Sequence, residues 1–386
     1  METAGAYTGM GQNLRSILAP RHLVYGYSNA RVRAMRPHLL AKRQAEDILK
    51  VKTNAAVAEY LSRTIYKGDF AGMGAKITDE ERVELAVSRN FARTAQKLLR
   101  ITPAQSKGAL AAFLSRYDAH NVKAILLSRK LNRPHDAAKN LLMAAGSMYQ
   151  KEIDAILAAK SADEQYDAIR STAFGAGFLR SKSLKAPALS NIRQALYSPT
   201  QEQLEALLSA IDSHYYGLAA GGILPGEKDA DAILRLIASE ADAKNIITAM
   251  RLKKSGADKH ATMKNMVKGG GISKSQLGAI AGAKGISEIA TLAAAFFTSA
   301  TGRGEFAAAE KRFKEDGSLS HFEVAFEHSI ARRSLHALRR SIMSIGAIVG
   351  FLLLKEEEMN NIRKIVRGKE LGLPMERIAE MLVLVG

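Results

Sequence analysis

The residue types best suited to chemistry in this sequence are a carboxylate and an amide three residues apart, and this pairing occurs three times. The pairs are Asp118 with Asn121, Asp242 with Asn245, and Glu358 with Asn361. Residues three apart lie on one side of a helix, so each pair could form a polar site or tie its helix to a neighbour. We favour the structural role, because a structural repeat requires no reaction.

Motifs of the common enzyme classes are absent. The sequence contains no P-loop motif, no complete GxGxxG, no HExxH and no GxSxG. The segment 269–275 (GGGISKS) resembles a phosphate-binding loop, but its lysine follows Ser273 and the spacing is wrong, so it predicts a loop between helices. Three histidines near helical spacing, His321, His328 and His336, are expected to be surface or core residues. We predict no catalytic, cofactor-binding or metal-binding residue.

The sequence around the three pairs predicts a helix, a turn and a second helix. When the three asparagines are superimposed without gaps, the position eight residues later is always basic: Arg129, Lys253 and Lys369. The position eleven residues later is Asn132, Gly256 and Gly372. The position twenty-five residues later is Gly146, Gly270 and Gly386. A basic residue in the last turn faces the negative end of the helix dipole, and Asn or Gly can then end the helix in a left-handed conformation.

The distance between copies indicates how the chain is divided. The copies are 124 and 116 residues apart, far more than the repeat of about 20–50 residues that is typical of solenoids. We therefore expect three related helical lobes, formed by residues 21–165, 166–283 and 284–386, after a flexible N-terminus at 1–20. No alternation with a period of two is long enough to predict a sheet, so the predicted fold class is all-α.

Local signals predict individual elements. Pro37 predicts a break near Arg36, and Thr78 followed by three acids predicts the start of a helix. The apolar run 342–354 is too short to span a bilayer and predicts a buried helix. The sequence TGRGE at 301–305 predicts a turn.

The charge balance favours an anionic partner. The chain has 386 residues, 56 of them basic and 38 acidic, for a net charge of +18. Nucleic acid, anionic lipid and acidic protein surfaces all fit such a charge. One basic run could face an anion, and it comprises Arg251, Lys253, Lys254, Lys259, Lys264 and Lys268. Aromatic residues make up only 6% of the chain and none interleave with this run, which argues against a platform for stacked single-stranded bases.

Three segments together resemble a known family. They are YGYSNARVRAM at 25–35, DAHNVKAIL at 118–126 and KEEEMNNIRKIVRGK at 355–369. In combination they resemble the C subunit of archaeal and bacterial V/A-type ATP synthases, whose eukaryotic counterpart is the d subunit of the vacuolar proton pump. The resemblance extends from about Tyr25 to the C-terminus, although Glu358 replaces the aspartate that is usual in the family.

The resemblance implies a funnel of three lobes with pseudo-threefold symmetry. It implies a non-catalytic rotor spacer, without a cofactor, that links the D and F subunits of the central stalk to the membrane proteolipid ring. Such a peripheral protein on the cytoplasmic face of the membrane would transmit torque between ATP synthesis or hydrolysis and the transport of protons or sodium ions. Its basic surface would face anionic lipid headgroups or the ring, and no nucleic acid is expected. A basic all-α scaffold and a nucleic-acid-binding protein are the alternatives.

Overall fold

The fold is entirely helical in the part of the chain that the structure describes. The computed structural model describes residues 21–73, 77–184, 186–221, 230–295, 300–340 and 343–384, and these ranges contain no strand. The predicted all-α class is therefore confirmed. The predicted flexible N-terminus (1–20) and the last repeat position, Gly386, lie outside the described residues.

The described ranges contain nineteen α-helices. They are α1 Arg21–Met35, α2 Lys42–Lys50, α3 Asn54–Ser62, α4 Asp79–Ile101, α5 Ala104–Lys130, α6 His135–Lys139, α7 Gln150–Ala158, α8 Ala162–Arg170, α9 Ala173–Leu179, α10 Ile192–Tyr197, α11 Gln201–Gly221, α12 Ala230–Lys254, α13 Lys259–Lys264, α14 Lys274–Gly282, α15 Ile286–Ala294, α16 Ala300–Asp316, α17 Ser320–Arg340, α18 Ile345–Glu370 and α19 Met375–Met381. Within the same ranges, none is both long and apolar enough to cross a membrane.

Three long helices, α5, α12 and α18, carry the repeated polar pairs, and each packs on helices from other parts of the chain. Helix α5 packs on α11, α12 packs on α17, and α18 packs on both α4 and α17. Helix α12 also touches α5 and α18. The three motif-bearing helices are thus linked through α12, and the helix preceding each of them in sequence packs on a motif-bearing helix.

Most of the local predictions hold. Helix α1 ends at Met35 and a short 3₁₀ helix with Pro37 follows, which confirms the predicted break. Thr78 caps α4 by accepting a hydrogen bond from the Glu81 amide, as predicted. The predicted buried helix is confirmed for residues 345–354, all of which are buried at the start of α18.

The turn predicted at 301–305 is wrong. These residues belong to the continuous helix α16. Phe306, which follows them, is buried with its ring centroid 5.1 Å from that of Phe322 on α17. The helix therefore gains tertiary packing that outweighs the poor helix propensity of its two glycines, each of which costs about 1 kcal/mol relative to alanine.

Candidate functional site

The three repeated asparagines make the same contact. Each side-chain amide donates to a backbone carbonyl 22 residues later and accepts from the amide of that same residue, at 2.8–2.9 Å. The pairs are Asn121 with Met143, Asn245 with Val267, and Asn361 with Val383. All three asparagines are buried. Each one satisfies the backbone beyond its short second helix and holds that segment against the long helix.

The first two repeated carboxylates bind the amides that precede another helix. Asp118 accepts from the Ser147 amide and hydroxyl and from the Met148 amide at 2.8–2.9 Å, just before α7. Asp242 accepts from the amides of residues 271 and 272 at 2.9 and 3.1 Å, just before α14. Burial raises the pKa of Asp118 and Asp242, and these hydrogen bonds oppose the rise. Both carboxylates therefore act as anchors for loop backbone.

The third carboxylate makes its backbone contact with a distant part of the chain. Glu358 accepts from the Leu40 amide at 2.7 Å, just before α2, and from the buried side chain of Lys355 at 2.5 Å. Its other hydrogen bond comes from the hydroxyl of Tyr66. The Leu40 amide therefore donates to Glu358 in the same way as the Met148 amide donates to Asp118.

The correspondence continues beyond that contact. In each copy the residue after the carboxylate-bound amide donates its own amide to a side chain three residues later, at 2.9–3.0 Å. The pairs are Ala41 with Gln44, Tyr149 with Glu152, and Ser273 with Gln276. Two nine-residue helices follow in each case, α2 and α3, α7 and α8, or α14 and α15. Lys369 donates to the carbonyls of Leu49 and Val51, and Arg129 contacts the equivalent carbonyls at 157 and 159. Residues 40–62 therefore contact the third motif as residues 148–170 contact the first.

The turns after the three long helices also match. Asn132, Gly256 and Gly372 have φ of 49°, 79° and 65°. In each turn the residue after the left-handed one donates its amide to the carbonyl five residues earlier, at 2.8–2.9 Å. The donor and acceptor residues are 133 and 128, 257 and 252, and 373 and 368. This is the Schellman arrangement, in which a left-handed residue lets the final carbonyls of the helix find donors.

Gly372→Ala tests the requirement for this conformation. A Cβ at Gly372 would meet nothing within 4 Å, so only the positive φ opposes the change. We expect a loss of about 1 kcal/mol in the free energy of unfolding, measured by urea denaturation. The control is Gly26→Ala in α1, where an added Cβ also meets nothing and φ is ordinary. Equal stabilities for the two variants would contradict the assignment.

A charged junction lies where the three long helices approach one another. The Arg116 guanidinium donates to the Glu240 carboxylate at 2.6 Å and to the Glu356 carboxylate, which also accepts from the Tyr117 hydroxyl at 2.6 Å. Arg116, Glu240 and Glu356 each stand five residues before a motif asparagine. Equivalent positions of all three copies therefore meet in one ion-pair cluster.

The junction is largely shielded from water. The three charged side chains are only 14–20% exposed, and the centroid of the Phe113 ring lies 4.1 Å from the guanidinium carbon. Burial raises the pKa of Glu240. Burial opposes the charge of Arg116, but Glu356 and Glu240 outweigh it and raise the Arg116 pKa well above its usual value. This cluster was not predicted from the sequence, although opposite charges in one alignment column were a visible signal.

The basic run on α12 and α13 is partly engaged. Arg251 pairs with Glu323 at 2.5 Å, and Lys254 donates to the Gly317 carbonyl at 2.9 Å. The stem of Lys259 lies beside Gly282. The remaining members form no ion pair with any residue that the structure describes: Lys253, Lys264 and Lys268. That this surface faces an anion stays a prediction.

Comparisons with known proteins point to one family. The sequence profile of the ATP synthase (C/AC39) subunit family matches residues 28–381. The chain is 28% identical to the C subunit of the A-type ATP synthase of Methanosarcina acetivorans over 94% of this chain and 93% of that protein. It is 26% identical to the protein of the same name from Methanosarcina barkeri, with the same coverage. The protein of that name from Thermoplasma acidophilum is 22% identical over 92% of this chain and 97% of its own length.

Proposed function

Because the chain belongs to the ATP synthase (C/AC39) subunit family, we propose that it is the non-catalytic rotor spacer of an A-type ATP synthase. In this role it receives the D and F subunits of the central stalk on one side and rests on the proteolipid ring on the other. It passes torque between ATP turnover and the movement of protons or sodium ions. It is a peripheral protein on the cytoplasmic face, with anionic lipid headgroups as further contacts.

The Arg116 junction is the observation that best supports this role. A torque-bearing spacer must resist shear between its parts, and the junction ties equivalent positions of all three copies together in a poorly hydrated site. Separating the partners would leave buried charges without compensation, so the junction opposes movement of the three long helices away from one another. We propose that the three long helices belong to a funnel of three pseudo-threefold lobes. Residues 40–62, which the sequence analysis placed in the first lobe (21–165), would then complete the third lobe.

The engagement of the repeated polar residues supports a structural role. The carboxylates and amides in the three motifs bind backbone groups of this chain, and substrate would have to displace those contacts. Within the described ranges no group of three or more His, Asp or Glu side chains could hold a metal ion. These residues are therefore better suited to positioning helices than to turnover.

A binding experiment tests the placement of the spacer. The purified chain should bind the isolated D and F subunits and, separately, membranes that carry the proteolipid ring but have been stripped of the central stalk. Stripped membranes should capture D and F only when the chain is added, as measured by sedimentation. Capture of D and F without the chain, or binding to only one side, would overturn the proposal.

A further inference from the structure

A cavity of about 660 Å³ lies between α18, the start of α2 and the residues after α19. Its volume is within the range of about 300–1,000 Å³ that is usual for small-molecule sites. Most of its wall is apolar, with Leu40, Ile48, Leu335, Leu354, Ile362 and Ile365 contributing. Such a wall favours a hydrocarbon group over a polar ligand.

The same cavity also has exposed basic residues in its lining. Arg33, Arg36, Lys42 and Arg339 belong to it and are exposed. The first three form no ion pair with any residue in the described ranges. They come from the end of α1, the 3₁₀ segment and the start of α2, so the local fold gathers them from a short stretch of chain. An anionic group at this position would be attracted by several cations at once.

Glu357 contributes a largely buried carboxyl to the cavity lining. Its side chain is 12% exposed, its Oε1 atom has no hydrogen-bond partner, and Lys364 Nζ lies 3.8 Å from that atom. Burial raises the pKa of Glu357 to about 8. The raised pKa reduces the charge of this carboxyl near neutral pH, and with it the cost of covering the group with an apolar chain.

The first copy of the repeat differs from the third at two positions that line the cavity. The position of Glu357, four residues before the motif asparagine, is Tyr117 in the first copy. The position of Ala45 in α2 corresponds to Ile153 in α7. Tyr117 and Ile153 are both buried in the fold. In the third copy the smaller side chains Ala45 and Glu357 stand at these two positions, and both line the cavity.

We propose that this cavity binds an anionic amphiphile, with a hydrocarbon chain in the apolar interior and the anionic head among Arg33, Arg36 and Lys42. The ligand is either a free fatty acid or one acyl chain of an anionic phospholipid, since both have this chemistry. A neutral lipid would leave the cations without a partner, and a small inorganic anion would leave the apolar wall unused. The proposal does not depend on the spacer role.

The test uses the full-length protein and defined ligands. Binding of oleate, below the concentration at which it aggregates, is measured by calorimetry beside oleyl alcohol and inorganic phosphate. Sedimentation with phosphatidylglycerol or phosphatidylcholine vesicles forms the second arm. We expect one oleate per chain, bound at least tenfold more tightly than the alcohol or phosphate. Binding in solution identifies a free fatty acid as sufficient, whereas binding to phosphatidylglycerol vesicles alone identifies a membrane lipid.

Two variants connect that binding to the cavity. Ala45→Phe fills the interior of the cavity. It should weaken, by at least tenfold, the binding of oleate or of phosphatidylglycerol vesicles, whichever the unaltered protein shows. Arg33→Gln with Arg36→Gln, at two exposed positions, should reduce binding by a similar factor. Lys311→Gln with Arg312→Gln, which removes two exposed basic side chains from α16, is the matched control and should change nothing. Circular dichroism checks the fold of each variant. Unchanged binding in the double arginine variant, equal binding of oleyl alcohol, or no binding in either arm would overturn the proposal.

Discussion

Replacement of Arg116 with methionine should lower the free energy of unfolding by about 3–5 kcal/mol, among the larger losses expected from a single exchange in this protein. The change removes the cation shared by Glu240 and Glu356, which are 17% and 20% exposed and would then face each other without compensation. Urea denaturation of the purified chain, followed by circular dichroism, measures the loss.

A rescue experiment separates the effect of charge from the effect of packing. Adding Glu240→Gln and Glu356→Gln to Arg116→Met should recover at least half of the lost stability, because the two uncompensated carboxylates are then gone. Arg63→Met is the control, since Arg63 pairs with Glu59 at the surface with 75% and 65% of the two side chains exposed. Arg63→Met should lower the free energy of unfolding by about 0.5 kcal/mol or less. A loss below about 1 kcal/mol for Arg116→Met would show that the junction contributes little.

Gly146→Ala should cost about 3 kcal/mol, because the added methyl group would collide with a buried anchor. Its Cβ would lie 2.5 Å from Cγ of Asp118, whose carboxylate already holds the amides of Ser147 and Met148. The carboxylate must move, and its hydrogen bonds are then broken or strained. Thermal and urea unfolding measure the loss.

The second copy provides an independent repetition of this experiment. A Cβ at Gly270 would lie 2.9 Å from Cγ of Asp242, so Gly270→Ala should also destabilise the protein strongly. Gly108→Ala is the control, because this glycine lies inside α5 and an added Cβ meets nothing within 4 Å. It should stabilise the protein by about 0.5–1 kcal/mol through higher helix propensity. If Gly146→Ala behaved like Gly108→Ala, the anchoring role of Asp118 would be wrong.

Much of the helical framework could be predicted from the sequence, because its signals are local. The break at Pro37 and the cap at Thr78 depend on residues within a few positions, and those predictions are confirmed. The residues at 132, 256 and 372 stand out for a similar reason, since few residue types adopt positive φ at low cost. Asn and Gly are two such types, so their recurrence in one alignment column is easy to see.

Contacts between distant segments could not be predicted in the same way. Leu40 meets Glu358 through its backbone amide, 318 residues away, and no side-chain signal marks a backbone donor. Arg116 differs in type from Glu240 and Glu356, so a search for like residues passes over their column. Only folding brings opposite charges at equivalent positions to one point. The failed turn at 301–305 has the same origin, because the packing of Phe306 is a tertiary effect.

The coupling of hydrolysis to transport tests the central claim most directly. Complexes are reconstituted into sealed vesicles with and without this chain, and ATP hydrolysis and ATP-driven ion uptake are measured in the same preparations. A spacer contacts the parts above and below it and no nucleotide. Without the chain, hydrolysis by the detached head should therefore remain while ion uptake falls to the background level. Loss of hydrolysis by the head when the chain is withheld, or ion uptake that persists without it, would contradict the account.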